Sequence, residues 1–265
     1  MRLWFFPALT VACFGACGAI LPRPAGSGEE QGGGPEVVEE EPNPVAGPDA
    51  EPPVEPEAPP VPAGLDADAV LALTPDECFT KLDEWEVPYE RVDDAPATID
   101  APIRLTGPLA GVTYAVPWTV TNHHDVLDCR LALALAEWSV LLHERGVVEV
   151  RIYSFYRAGS RGGVTSRRAQ GQPSQHSYGL AIDAGWFVKA DGDVLSVLDD
   201  WVDPGTEVTC GGSVDAADGA ALLDLYCSAW SARLFHVQLS PAHNQEHENH
   251  FHLDVGGGGG GWYLD

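Results

Sequence analysis

Toward its C-terminal end the chain reads His247-Glu-Asn-His250-Phe-His252-Leu-Asp254, and well upstream it reads Ser174-Gln-His176-Ser-Tyr-Gly-Leu-Ala-Ile-Asp183. Five of the nine histidines fall between His236 and His252. His250 and His252 are two apart, so an extended strand presents both imidazoles on one face. A third His and a carboxylate from a second segment would complete a His/Asp/His set around zinc. Three protein ligands leave zinc a fourth position for water, the arrangement of a hydrolytic rather than a structural metal.

Taken singly, each pattern is weak. A His followed seven positions later by Asp occurs twice, as His176 with Asp183 and as His247 with Asp254, which shows how easily chance makes it. His-x-His occurs once and can also be a solvated strand face. The two motifs in this order, each beside a strand pattern and each followed by apolar residues, carry much more weight. Tyr178-Gly179 can turn the chain so that His176 reaches over the strand bearing Asp183. Placement on sheet elements suits a site whose ligands must be held closely.

The elements that must position these groups follow from periodicity. Ala67 to Leu73 and Pro75 to Trp85 read as short helices, with Thr74 capping the second. Asp93 to Val120, rich in Pro, Gly and Thr, reads as loops and short strands. Asp125 to Arg145 is the clearest helix: Leu127, Leu131, Ala134, Leu135, Trp138, Leu141 and Leu142 recur at three- and four-residue spacing, and Gly146 stops it. Val148 to Phe155, Leu180 to Val188, Val194 to Val197, Leu234 to Leu239 and Phe251 to Val255 are strand segments. Arg157 to Gln172 is a long polar, basic loop, Ala217 to Leu234 is helical, and His243 to Asn249 is a polar turn. Trp186 reads as a core residue in preference to a substrate platform. Helices followed by hairpin-like strands predict an α+β fold, a single domain with a small central antiparallel sheet packed by helices.

The N-terminus indicates export. Met1-Arg2 precedes an apolar run to about Leu21, read as a signal peptide over residues 1–21. Ala16-Cys17 resembles a bacterial lipoprotein cleavage site, with Ala12-Cys13 as a rival, so Cys17 is the expected lipidated residue. An ordinary cleaved signal and an uncleaved anchor are the alternatives, and all three export the remainder. Residues 22–64 form a disordered acidic, Pro-rich tether: Pro22 to Pro62 contains twelve of the 22 prolines, ten Asp/Glu and one Arg. A net charge of −26 without a basic footprint argues against a nucleic-acid partner. Residues 65–255 have the size of one domain, and 256–265 form a Gly-rich tail in which Trp262-Tyr263 either folds back or does nothing. The domain's four cysteines in an exported chain predict two disulfides, with Cys78–Cys129 and Cys210–Cys227 the preferred pairing among three.

Ser-x-His followed by Gly-Leu-Ala-Ile-Asp, then His-x-x-His-Phe-His-Leu-Asp, resembles the bacterial extensin-like C-terminal domain proteins. These are placed in the zinc D-Ala-D-Ala carboxypeptidase and murein endopeptidase superfamily, which shares its fold with the hedgehog signalling domain. The resemblance covers about Asp125 to Val255, including Ser154-Phe-Tyr-Arg157. It implies zinc ligands at His176, Asp183 and His252. Several relatives carry a Glu base three residues before the last zinc His; here that residue is Asn249, which cannot serve. Endopeptidase relatives have a His five residues before, matched by His247, whose ordinary pKa near 6.5 suits a base at neutral pH. His250 is the other candidate for that role, and Glu248 is a poorer one. Arg157 matches a family arginine near the zinc that could neutralise an oxyanion or hold a substrate carboxylate. The family's usual Cys before that arginine is replaced by Tyr156, leaving Cys210 as the substitute partner for Cys227.

The resulting expectation is an exported, lipid-anchored zinc hydrolase, periplasmic or cell-surface, that cleaves amide bonds in peptidoglycan stem peptides, touching the membrane through its anchor or signal alone. One rival is a catalytically silent metal-containing module that binds wall peptide or a protein. The other is a structural surface lipoprotein.

Overall fold

The computed structural model describes residues 64–159, 173–206, 209–256 and 261–265. The expected signal segment with Cys13 and Cys17, the expected tether up to residue 63, and most of the basic segment, including Arg161, Arg167 and Arg168, lie outside the described residues.

Helix α1 (Ala67–Leu71) starts at Asp66, whose carboxylate accepts the Ala69 N–H. Helix α2 (Pro75–Glu84) starts at Thr74 in a reciprocal capping box with Glu77 and has Pro at its first position. The Pro/Gly/Thr-rich stretch supplies β1 (Tyr89–Arg91), β2 (Pro102–Leu105) and β3 (Thr113–Ala115). β4 (Leu127–Asp128) then pairs with β2, giving a small antiparallel sheet in the order β1-β2-β4.

The long helix therefore begins later than Asp125. It is α3 (Cys129–Glu144). Asp128 is the reason: its carboxylate caps the Arg130 N–H and also accepts the Ala101 N–H at 2.9 Å, which holds residues 127–128 extended against β2. From there Leu131, Leu135, Trp138 and Leu142 are buried, and Gly146 with φ +78° ends the run.

The main sheet comprises β5 (Val147–Ile152), β6 (Ala181–Lys189), β7 (Val194–Ser196), β8 (Val237–Leu239), β9 (Phe251–Asp254) and β10 (Tyr263–Leu264) together with β3. Its order is β10-β8-β9-β6-β5-β3, with β7 also on β6. The four central strands are antiparallel, whereas β3–β5 and β10–β8 are parallel, so the α+β domain has a mixed sheet. Helices α4 (Val197–Asp200) and α5 (Ala217–Ser231) complete the fold. Trp138 of α3 meets Phe187 of β6 edge-on at 5.9 Å and Phe235 at 5.7 Å, which fixes helix and sheet around one core. Disulfides join Cys78 to Cys129, tying α2 to the start of α3, and Cys210 to Cys227 on α5. This is the preferred pairing.

A bulge sets which side chains face outward. Arg151 pairs with Trp186, but Ile152 pairs with Ala184, so β6 carries one extra residue, Gly185. The alternation flips there. Asp183 and Trp186 share the open face, while Ala184 and Phe187 turn into the core. Trp186 is accordingly half-buried against Tyr153 rather than a core residue. At the other end, the tail folds back: Tyr263-Leu264 pairs with Val237-Gln238. Trp262 lies 4.9 Å from His236 and 6.0 Å from Trp230, with the Arg233 guanidinium 4.0 Å from its ring. Among the described residues no helix is long and apolar enough to cross a membrane.

Candidate metal centre

Strand register brings the first two groups together. Asp183 of β6 lies directly opposite His252 of β9, so both side chains leave the same face. Asp183 Oδ1 is 3.1 Å from His252 Nδ1. His176 arrives from a one-turn 3₁₀ helix, Gln175–Tyr178, whose N-cap Ser174 accepts the His176 N–H. Gly179 ends that turn at φ +65°. A Cβ there would stand 2.8 Å from the Asp128 nitrogen and 3.2 Å from Leu127, and the Gly179 carbonyl accepts the Asp128 N–H at 2.9 Å. The turn is thereby seated on β4. It sets His176 Nε2 2.9 Å from Asp183 Oδ1 and 3.1 Å from His252 Nδ1. All three residues are buried, and their ligand atoms lie within 4.8 Å of one another.

Proton accounting shows what this trio needs. His176 Nδ1 lies 2.8 Å from the Phe155 carbonyl, which can only accept, so Nδ1 carries the hydrogen and Nε2 is left with its lone pair. His252 Nε2 lies 3.3 Å from Asp254 Oδ2, which places its hydrogen there and leaves Nδ1 bare. Two imidazole lone pairs and a carboxylate oxygen thus converge on one point. Only a cation satisfies them. In protein without metal the cation is a proton: burial opposes charging His252, yet hydrogen bonds and charges from Asp183 and Asp254 outweigh it and lift its pKa to about 9. Burial presses His176 downward, keeping it neutral. Asp183, although burial penalises its charge, is held well below the usual carboxylate range by its contacts with His176, His250 and His252. Two neutral imidazoles and an ionised carboxylate fit zinc in ligand type and number.

The remaining groups form a rim. His250 Nε2 stands 3.2 Å from Asp183 Oδ1 without an aligned hydrogen bond, and its Nδ1 is 2.7 Å from Asn249 Oδ1. His247 Nδ1 lies 2.8 Å from Asn244 Oδ1, which leaves its Nε2 to accept a proton. Burial and the charges of His252, His250 and His243 lower the His247 pKa to about 3 in metal-free protein. Its ring is 5.2 Å from that of His250 and 5.8 Å from that of His252. Arg157, with a side chain 42% exposed, places Nη2 3.0 Å from Asp183 Oδ2. Glu248 is exposed and Asn249 half-buried.

Several positioning groups carry no motif of their own in the sequence. Asp254 lies two residues beyond His252 and so shares its face, a readable signal, whereas Asn244 has no such marker. The Phe155 carbonyl left none. Nor did the pair between His243 Nδ1 and Asp265 Oδ2, which braces the His247 loop against β10.

An α+β domain with a buried two-His, one-Asp cluster that could hold a metal ion, on the open face of a mixed sheet, is the class these features define. Residues 76–263 match the family described as extensin-like protein C-terminus, and the chain belongs to that family. No curated protein and no solved structure matches the chain.

Proposed function

We propose that this protein is an exported zinc hydrolase of the D-Ala-D-Ala carboxypeptidase and murein endopeptidase superfamily, and that it cleaves amide bonds in peptidoglycan stem peptides or cross-links. The observation that carries the reading is the convergence of His176 Nε2, His252 Nδ1 and Asp183 Oδ1, each with its lone pair aimed inward. When bound, zinc acidifies a coordinated water toward neutrality and polarises an amide carbonyl.

The chain's own residues do the rest. Phe155 and Asp254 fix the tautomers of His176 and His252. His247, its Nδ1–H held by Asn244, presents Nε2 to the attacking water; the lowered pKa of the metal-free ring makes it a weaker base than the free imidazole expected from sequence, and in this role it takes the water's proton and returns it to the leaving amine. His250, its Nδ1–H held by Asn249, is the alternative base at Nε2, and once it has taken a proton there it donates a hydrogen bond to the developing oxyanion. Arg157 at the rim stabilises negative charge on the carbonyl oxygen. The signal segment delivers the domain to the periplasm or cell surface, with Cys17 as the lipid anchor and residues 22–64 as the spacer.

Digestion of purified sacculi tests this. Wild-type protein with zinc releases peptides, His247→Ala or His250→Ala abolishes release while zinc stays bound, and His176→Ala or His252→Ala loses both. Asn249, standing where several relatives carry a Glu base, favours a second reading: a catalytically silent wall-binding module. Zinc-loaded wild type that binds sacculi and releases nothing selects that reading. A domain that retains no zinc removes both and leaves the structural lipoprotein.

A further inference from the structure

Beside the metal centre the open face of the sheet carries a strip of aromatic rings that the chemistry above does not use. Tyr153 is its middle. Its ring lies 5.7 Å from that of His250, 4.9 Å from that of Trp186 and 5.6 Å from that of Trp118. Trp118 is 43% exposed, an unusual state for the largest apolar side chain. The backbone is shaped for this strip. The extra residue at Gly185 turns Trp186 outward, and a Cβ on Gly185 would stand 2.8 Å from Tyr153 Cε2, so the phenol ring lies directly on the strand. Arg151, register partner of Trp186, continues the face and is paired with Glu149 at 2.6 Å.

We infer that Trp118, Tyr153 and Trp186 form a subsite for a neutral pyranose ring, the glycan part of the wall substrate. The inference rests on the hydrolase reading for the identity of that glycan, but not for the chemistry of the strip. Three features select a sugar over a peptide. Tilted aromatic rings offer broad apolar faces that match the C–H faces of a pyranose. The neighbouring ion pair supplies fixed donors and acceptors for hydroxyls, yet adds no net charge to attract peptide carboxylates. Extended peptides are gripped by backbone pairing at a sheet edge, whereas this strip lies on a face and β6 is already paired on both sides, by β5 on one and by β9 and β7 on the other.

The test is titration of the whole protein with a β-1,4-linked N-acetylglucosamine tetramer, followed by tryptophan fluorescence and calorimetry, with and without zinc. Saturable binding in both states is expected. Trp118→Ala and Tyr153→Ala should each weaken it about tenfold or more, the scale of one lost aromatic contact, while zinc affinity stays at the wild-type value. Absence of saturable binding, binding that neither substitution weakens, or equal competition by a sugar-free stem peptide would overturn the subsite. Tetramer binding by a protein that digests no sacculi supports the subsite while removing the hydrolase reading. Digestion of sacculi without tetramer binding does the reverse.

Discussion

Asp254 stands two residues beyond His252 on β9, and its Oδ2 lies 3.3 Å from His252 Nε2, on the far side of the ring from Asp183. A carboxylate in that position fixes which nitrogen carries the hydrogen and strengthens the other as a ligand. Asp254→Ala is expected to weaken zinc binding by about 10- to 100-fold with little change in the fold. Competition against a chromogenic chelator reads the affinity, and an unchanged value would show that Asp254 leaves His252 indifferent.

The same imidazole makes metal binding depend on pH. Its folded pKa of about 9 stands above the unfolded value of about 6.5. Its stabilisation of the metal-free domain is therefore complete below about pH 6.5 and is lost as pH rises through about 9. Zinc must displace that proton, so apparent affinity should rise about tenfold per unit between pH 7 and 9, with about one proton released per ion. Calorimetry in buffers of different ionisation enthalpy counts the proton. A flat profile contradicts the assignment.

Gly179→Ala is expected to damage the site from outside it. Alanine at φ +65° is strained by about 1–2 kcal/mol, and its methyl group would press on the Asp128 backbone, displacing the turn that carries His176. Gly192→Ala is the matched control, since φ there is +93° but nothing lies within 4 Å of the added carbon. Both variants should lose stability in urea titrations, and only the first should lose zinc.

The two disulfides should contribute unequally. Cys78–Cys129 closes a separation of 51 residues and Cys210–Cys227 one of 17. Loop-closure entropy gives about 4 kcal/mol for the first and about 3 kcal/mol for the second. Paired Cys→Ala variants compared by chemical unfolding check the order, and a larger loss from the shorter loop would contradict it.

How far these features were readable depended on whether their cause was local. Thr74 with Glu77 announces α2, and the spacing of Leu131, Leu135, Trp138 and Leu142 announces α3, because capping and periodicity are short-range. The start of α3 departs from the periodicity because Asp128 is held by Ala101, a partner remote in sequence. His250 and His252 could be placed on one face from a spacing of two, yet their meeting with His176 depends on the register of β6 against β9. Strict alternation carries Trp186 into the core, and only the bulge reverses it. A glycine inside a strand pattern is the local sign of such a bulge, and Gly185 is that sign. The parallel return of β10 has no short-range signature at all.

The outermost rails of the large sheet are β3, three residues long, and β10, two residues long. Rails so brief present few unsatisfied backbone donors and acceptors to a stray chain. Among the described residues, the two ends of this sheet therefore offer a second copy little template for adding strands, and the short C-terminal return covers the edge of β8 that would otherwise lie bare.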